Sequence, residues 1–350
     1  KKVGTLQGAV SHTLLQELGG VNIKVYSGVV EPYEDLALGR LDAVFLDSPI
    51  ASYYAKPNKK LKYIGEPVGE GLYGMALRKE DKELRDEIDK ILVKLISSGE
   101  LKKIYEKWNL WDKSQEKLYN YTKEYSGESF KEEIKSISVI SFLPTLLKGA
   151  IITIGISVAS MIVAIILGLT LAIMKVYLKP PFNHFASAYI EFFRGTPLLI
   201  QLYILYYGLP NIGISLSPLT AAILGLGMNY ASYEAELYRA GISAIPKGQL
   251  EAGLSLGMSN FLAVRRIILP QAIRIALPGI TNDFIALFKD SSLVSIIAMV
   301  ELTKSYTILA ATTMKFFELG LIVAFLYFAM SYPLSLLSKR LEERLKKKRR

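Results

Sequence analysis

The sequence contains no cysteine among its 350 residues. A disulfide framework, a thiolate metal site and a cysteine nucleophile are therefore excluded. Histidine is almost as scarce: only His12 and His184 occur, far apart and without ligand-like neighbours. We therefore expect neither a metal ion nor a catalytic site built on histidine.

A phosphate-binding loop is also missing. No Gly-x-x-x-x-Gly-Lys-[Ser/Thr] segment occurs, so the chain has no P-loop with which to bind ATP. The first residues, Lys1-Lys2-Val3, include neither an initiator methionine nor a signal peptide. We expect that a further segment precedes them.

Charge is distributed unequally along the chain. Residues 1–140 contain 22 Lys/Arg and 22 Asp/Glu, whereas residues 141–350 contain 20 and 10, which gives the net charge of +10. Hydrophobic residues make up 51% of the sequence, which is high for a soluble protein. This pattern indicates a polar domain followed by a membrane domain with basic cytoplasmic loops. It argues against a nucleic-acid-binding protein, whose positive charge would lie on a polar face.

The second half contains five apolar stretches. They lie at about 149–174, 185–208, 217–240, 273–300 and 319–338. A transmembrane helix needs about 20 mostly apolar residues, so each stretch is a candidate membrane span. The alternative is the large buried core of a soluble helical protein.

The basic residues between these stretches predict an orientation. Loop 175–184, segment 239–274 and residues 339–350 are basic, whereas loop 209–217 is uncharged and loop 301–318 is balanced. The positive-inside rule then places the three basic segments in the cytoplasm. Residues 1–136 would be extracytoplasmic in a multi-pass protein of the cell (inner or cytoplasmic) membrane.

Segment 239–274 is too polar to span a membrane, and its residue pattern is too regular for an irregular loop. Residues 249–264 are predicted to form a short helix along the membrane surface, with Leu250 and Leu254 on its apolar side. Gly257 would let another backbone or a bulky side chain approach closely. Such a helix either docks in a groove of a cytoplasmic partner or rests on the membrane without one.

This segment resembles the EAA loop of permeases of the ATP-binding-cassette (ABC) importers. The matching residues are Glu251-Ala252-Gly253-x-x-x-Gly257 and Ile268-Leu269-Pro270. Three neighbouring motifs resemble the polar amino acid permeases within that group: Arg194-Gly195-Thr196-Pro197, Tyr238-Arg239-Ala240-Gly241-Ile242 and Lys289-Asp290-Ser291-Ser292-Leu293. The resemblance covers about 137–345. Gly253 departs from the usual alanine, at a cost of about 1 kcal/mol in a helix interior.

The resemblance implies an all-α transmembrane domain of five helices, over 137–345, with a coupling loop at 243–270. It also implies a pore formed with a second permease subunit, with a homodimer favoured. A separate ATPase subunit, which holds ATP and Mg, would grip residues 246–262. Glu251, Ala252 and Gly257 would be the residues that couple this chain to it.

The first half alternates short strands and helices, which is an α/β pattern. Strands are predicted at 2–5, 22–27, 42–46, 63–66 and 73–77, and helices at 12–18, 33–38, 49–54 and 82–97. The turn Gln7-Gly8-Ala9-Val10 follows a strand and opens a helix, so its amides suit a carboxylate. Asp47 follows another strand and suits an ammonium group. The alternatives are an ordinary strand–helix turn and a helix N-cap.

These pieces resemble the second lobe of amino-acid-binding proteins of the periplasmic type. The matching residues are Lys2-Val3-Gly4-Thr5-Leu6-Gln7-Gly8, Gly39-Arg40-Leu41-Asp42-Ala43-Val44, Asp47-Ser48-Pro49 and Tyr73-Gly74-Met75-Ala76. Residues 101–108 resemble the closing helix of that fold. The likeness implies a partial receptor lobe over 1–112, a linker over 113–136 and a first lobe that is missing. It also implies that Asp47 binds the substrate ammonium and that the Gln7–Val10 turn helps to hold the carboxylate.

Polar residues inside the apolar stretches are candidates for a translocation path. They are Glu191, Arg194, Thr196, Asn229, Glu234, Lys289 and Asp290. Ionisable groups in a membrane usually face a cavity or a partner. Glu191 and Arg194 are three apart and can also pair on one helix face. Structural pairing without substrate contact is the alternative for the whole set.

The sequence thus predicts the membrane subunit of an ABC importer for a polar amino acid, with a tethered binding domain and no bond chemistry of its own. The alternative is a ligand-gated channel or signalling receptor of the glutamate-receptor type. A channel of that type needs a selectivity filter, and no Thr-Val-Gly-Tyr-Gly-like run occurs. Neither alternative needs a helix that docks an ATPase.

Overall fold

The computed structural model describes residues 1–65, 68–69, 73–108, 110–111, 115–120 and 138–348. The chain divides into two compact units, Lys1–Ile137 and Ser138–Arg350. Most of the linker predicted at 113–136 lies outside the described residues, apart from a short 3₁₀ helix at Gln115–Asn120.

The first unit is built on a small parallel sheet. Its elements are β1 (Lys2–Leu6), α1 (Val10–Leu18), β2 (Asn22–Tyr26), α2 (Glu31–Ala37), β3 (Ala43–Val44), α3 (Ser48–Tyr54), α4 (Lys82–Ser97) and α5 (Glu100–Lys107). The strand order is β2-β1-β3, with Val3 opposite both Ile23 and Ala43. The predicted helices are found within two residues of their expected starts, and the bounds 82–97 are confirmed.

Two predicted strands are wrong within the described residues. Residues 63–65 and 73–77 are not in strands, and residue 66 lies outside the described part of the chain. Tyr63, Ile64, Tyr73 and Met75 have exposed side chains. An apolar, aromatic run satisfies the strand pattern, but a strand also needs a neighbour to pair with, and the described sheet ends at β2 and β3.

A buried carboxylate joins β2 to α2. Asp35 accepts hydrogen bonds from Lys24 Nζ at 2.7 Å, Tyr26 Oη at 2.5 Å and Arg40 Nη1 at 2.9 Å. Burial alone would raise the pKa of Asp35, but these donors outweigh it and hold the pKa below its ordinary value. The charged form therefore stabilises this unit.

The second unit is helical. Its helices are α6 (Leu143–Tyr177), α7 (Phe182–Gly195), α8 (Leu198–Tyr203), α9 (Pro218–Ser243), α10 (Lys247–Ser255), α11 (Asn260–Ala263), α12 (Leu269–Asp290), α13 (Leu302–Thr313) and α14 (Phe316–Lys348). Short π-helical turns follow α8 and α11, at Ile204–Gly208 and Val264–Ile268. The predicted restart at Ser217-Pro218 is confirmed: Ser217 Oγ accepts from the Thr220 amide at 3.1 Å.

Two described helices are both long and apolar enough to cross a membrane. They are Val139–Tyr177 and Phe316–Arg344, with mean hydropathies of 2.7 and 1.8. Helices α9 and α12 have 26 and 22 residues, which is sufficient length, but charged residues lower their hydropathy. The stretch 185–208 is not continuous, because it divides into α7 and α8, and 301–318 contains the partly buried helix α13 rather than a loop.

Helices α6 and α9 pack at the centre of this unit. A Cβ on Gly168 of α6 would lie 2.6 Å from Cβ of Glu234 and 3.0 Å from the Ala231 carbonyl oxygen on α9. A side chain at position 168 would therefore push the helices apart. Their close approach helps to bury Glu234.

Candidate translocation path and coupling segment

The break between α7 and α8 is held by two side-chain amides. Pro197 has no amide hydrogen for the carbonyl of Phe193, four residues earlier. Gln201 Nε2 donates to that carbonyl at 3.0 Å, and Asn229 Nδ2 of α9 donates to it at 3.2 Å. Asn229 Nδ2 also lies 3.1 Å from Gln201 Oε1, and we call this pair the amide bracket.

The bracket also holds Thr196. Gln201 Nε2 donates to the Thr196 carbonyl at 3.1 Å and lies 2.8 Å from its hydroxyl oxygen. The helix break predicted at 194–197 is therefore present, but the freed carbonyl of Phe193 is occupied by amides. Sequence reasoning missed Gln201, although a lone amide in the apolar run 198–207, one turn after a proline, was a usable signal.

Glu191 and Arg194 do not pair. Both side chains are exposed on α7, and among the described ion pairs none joins them. The guanidinium carbon of Arg194 lies 5.6 Å from the ring centroid of Tyr233 on α9. Attraction to the aromatic face directs the arginine toward α9 instead of along its own helix.

An acidic cluster lies between α9 and α12. Glu234 is completely buried, and neither carboxylate oxygen has a hydrogen-bond partner within the described structure. Asp283 of α12 is close enough to interact with it electrostatically. Tyr230, one turn before Glu234, donates to Asp290 Oδ2 at 2.7 Å, whereas Lys289 is exposed. Carboxyl groups of both helices therefore lie close together in a buried part of this unit.

One ion cluster links the ends of α6 and α9. Glu236 Oε1 lies 2.8 Å from Lys175 Nζ, and Glu236 Oε2 lies 2.9 Å from Arg239 Nε. One carboxylate thus pairs with both cations, and its bond to Lys175 connects α9 to α6. We call this cluster the ion clasp.

The predicted coupling helix 249–264 is wrong in its extent. Helix α10 ends at Ser255, α11 begins at Asn260, and Gly257 lies between them with a φ of 81°. A Cβ built on Gly257 would meet no atom of the described chain within 4 Å. The glycine is therefore required by the left-handed turn, not by a close approach within this chain.

The coupling segment, residues 247–268, has a rigid base. A Cβ on Gly253 would lie 2.8 Å from Ile267 Cδ1, so the departure from alanine lets α10 pack on the following turn. Gln271 Nε2 donates to Gln249 Oε1 at 3.1 Å and to the Ile267 carbonyl at 2.8 Å. These contacts fix α10 against the start of α12.

The opposite side of the coupling segment is open. Glu251 and Ala252 are exposed. Leu254, Leu256 and Phe261 have relative exposures of 39%, 81% and 73%. The segment therefore presents an apolar surface next to an acidic side chain, on a base that packing holds in place.

In the first unit, Gln7 and Asp47 have partners within the chain. The Gln7 amide donates to the Tyr26 carbonyl at 2.8 Å, which continues the sheet and occupies one amide expected to bind a carboxylate. Gly8 and Ala9 form the turn, and α1 begins at Val10.

Asp47 is the N-cap residue of α3, but its side chain does not cap the helix. Its carboxylate instead accepts a hydrogen bond from Tyr73 Oη at 2.9 Å. A cavity of about 590 Å³, lined by Tyr53, Lys56 and Trp108 among others, does not include Asp47.

The second unit matches known permeases. Residues 164–347 match the family model of the binding-protein-dependent transport system inner membrane component. A probable amino-acid permease, YxeN of Bacillus subtilis (strain 168), is 42% identical over 212 residues, covering 60% of this chain and 95% of the relative. The arginine transport system permease ArtQ of the same organism is 36% identical over 210 residues, covering 60% and 96%.

A solved structure agrees with this assignment. The crystal structure of an amino acid ABC transporter with histidines is 39% identical and has a TM-score of 0.55, covering 59% of this chain and 97% of that one. These relatives are permease subunits, so the chain is a transport component rather than an enzyme. The chain belongs to the family of inner membrane components of binding-protein-dependent transport systems.

Proposed function

We propose that this chain is the membrane subunit of an ABC importer for a polar amino acid, working by alternating access. A separate ATPase, which binds ATP and Mg, drives it. The observation that carries the proposal is the coupling segment: an exposed apolar surface at Leu254, Leu256 and Phe261 on a base fixed by packing.

The coupling segment is suited to transmit force. Ile245, Leu250 and Ile268 pack into one apolar cluster that also contains Tyr177 at the end of α6 and Ala272 of α12. Because a packed cluster moves as a unit, a push on α10 would reach α6, α9 and α12 together. The ion clasp of Glu236 with Lys175 and Arg239 adds a second connection between α6 and α9.

The acidic cluster supports the proposed substrate class. A zwitterionic amino acid carries an ammonium group, and buried Glu234 has oxygens without a partner in the described structure. Hydrogen bonds from the ammonium group to these oxygens would remove the cost of leaving a buried polar group without a partner. We propose that the path runs along α9 past Asn229 and Glu234 toward Asp290, with Arg194 and Thr196 at the helix break. Glu191 and Lys289, both exposed, belong to this path only if a second subunit covers them.

Residues 1–112 are proposed to be part of a tethered extracytoplasmic binding domain, with residues 113–136 as its linker. The parallel sheet and the placement of Asp47 just after β3 agree with a ligand at the carboxyl edge of the strands. A short linker would keep such a receptor near the pore at roughly millimolar effective concentration. Exchange of Asp47 for asparagine should weaken amino-acid binding at least ~10-fold, since a charge-assisted hydrogen bond contributes about 1.5–3 kcal/mol. Tyr73→Phe is the matched control, because it removes only the contact within the chain.

The second permease subunit is proposed from the family likeness, with a homodimer favoured. The predicted orientation, with residues 1–136 outside and the basic segments in the cytoplasm, is likewise part of the proposal.

Co-purification tests the proposed function. The chain should retain an ATPase subunit when expressed with the ATPase of its own source organism, and Leu256→Asp should lose it. A buried, unpaired carboxylate at the interface would cost several kcal/mol. Ile212→Asp is the matched control, because Ile212 is 72% exposed and lies in the loop predicted to face the other side. Equal ATPase retention by both variants would contradict the role of the coupling segment.

A further inference from the structure

Helix α14 continues well beyond its apolar part. It is a single helix of 33 residues, Phe316–Lys348, whereas its charge-free stretch is 319–338. At 1.5 Å per residue, the part from 339 to 348 extends the helix by about 15 Å past the apolar stretch. Ser338 Oγ donates to the Pro278 carbonyl at 3.4 Å, so contact with α12 fixes the point where this extension begins.

The extension is strongly basic. Residues 339–350, which we call the basic segment, contain eight Lys/Arg and two Glu, a net charge of +6. The side chains of Lys339, Arg340 and Arg344 are exposed. The first two follow the apolar stretch directly, so their charges lie within a Debye length, about 8 Å, of a membrane surface at that level.

The described basic positions do not form one narrow stripe. At 100° per residue, Lys339, Arg340 and Arg344 are spread over an arc of about 140°. A helix that docks in a protein groove presents one narrow face of residues at i, i+3, i+4 and i+7. Positive charge spread over a broad arc, directly after an apolar stretch, fits the layer of headgroups at a membrane surface better than one narrow groove.

We propose that the basic segment binds the headgroups of anionic phospholipids in the leaflet where α14 leaves the membrane. Juxtamembrane clusters of four to eight Lys/Arg are attracted to anionic lipid surfaces over about a Debye length. The interaction is electrostatic, so it weakens with salt and does not depend on substrate or ATPase. An acidic surface of a partner protein is the competing occupant, which the experiment separates from lipid.

The absence of cysteine allows a direct measurement. The full chain with Leu337→Cys, an exposed position beside the basic segment, carries one fluorophore in nanodiscs. Quenching by spin-labelled phosphatidylglycerol is compared with quenching by spin-labelled phosphatidylcholine, each at the same fraction. We expect at least threefold stronger quenching by phosphatidylglycerol, reduced toward equality by 0.5 M NaCl.

Two matched triple variants assign the effect. Lys339→Gln, Arg340→Gln and Arg344→Gln together lower the net charge of the basic segment from +6 to +3, so they should at least halve the preference for phosphatidylglycerol. Neutralising three exposed arginines of the coupling region, Arg265→Gln, Arg266→Gln and Arg274→Gln, should leave it intact. If the two lipids quench equally in the labelled chain whose basic segment is unchanged, the proposal is overturned. Loss of ATPase retention in the first variant with unchanged lipid preference would assign the segment to a protein partner instead. Since the lipid measurement needs neither ATPase nor substrate, its failure is distinguishable from failure of the importer function.

Discussion

Asn229 of α9 donates a side-chain hydrogen bond to the main-chain carbonyl of Phe193 on α7, at 3.2 Å. The acceptor is the carbonyl that Pro197 cannot satisfy. A helix break inside the apolar part of the chain is therefore closed by an amide from a neighbouring helix. Gln201 completes the arrangement with a bond to the same carbonyl at 3.0 Å.

Removal of the Gln201 amide should destabilise the second unit. Gln201→Leu keeps the size of the side chain but leaves the Phe193 and Thr196 carbonyls with fewer donors. An unsatisfied buried polar group costs about 1–3 kcal/mol, so the thermal unfolding midpoint in detergent should fall. Thr196→Val, which loses a single hydroxyl, should have the smaller effect. If Gln201→Leu unfolds at the wild-type temperature, the bracket does not hold the break.

Gly257 should tolerate asparagine and reject valine. Its φ of 81° lies in the left-handed region, where asparagine is accepted and a β-branched residue is strained. Gly257→Val should therefore distort the turn between α10 and α11 and reduce substrate-stimulated ATP hydrolysis at least fivefold. Gly257→Asn should retain most of the stimulation. Similar stimulation in both variants would show that the turn does not matter for coupling.

Thiol labelling checks the orientation. Asn211→Cys would be the only thiol in the chain and lies in the uncharged loop 209–217. We expect it to react with an impermeant thiol reagent added to intact cells, because that loop is predicted to be outside. Lys247→Cys, made separately, should react only after the membrane is permeabilised. The reverse pattern would contradict the orientation.

Acid should weaken the first unit through Asp35. Its pKa is lower in the folded state than in the unfolded chain, so its contribution is present above the ordinary aspartate pKa of about 4. The contribution is lost as the pH falls from there through the folded-state value. Asp35→Asn should lower the free energy of unfolding by about 3–5 kcal/mol at neutral pH, because Lys24 and Arg40 lose their buried counter-charge. In urea titrations followed by circular dichroism, the difference in stability between the two proteins should shrink as the pH is lowered from 4.

The bounds of a helix are predicted best from the sequence where one local signal, such as apolar spacing or an N-cap residue, determines them. The bounds 82–97 follow from apolar spacing, and the start of α9 follows from Ser217-Pro218. The coupling segment was predicted as one helix because periodicity does not show that Gly257 adopts a positive φ. Gln201 was missed because its role depends on Pro197 and on Asn229 of another helix, a contact that spacing along one helix does not contain. The strands at 63–66 and 73–77 failed because strand pattern does not report whether a pairing neighbour exists.

The proposed importer function is tested by ATP-dependent uptake. The complex of this chain with its ATPase is reconstituted in proteoliposomes. A labelled polar amino acid is added on the side of the membrane where residues 1–136 lie, and ATP with Mg is supplied on the side of the coupling segment. We expect ATP-dependent accumulation above the external concentration. Leu256→Asp should abolish this accumulation, and Ile212→Asp should preserve it. Flux of amino acid or ions down a gradient without ATP, unchanged in Leu256→Asp, would contradict the proposed importer function.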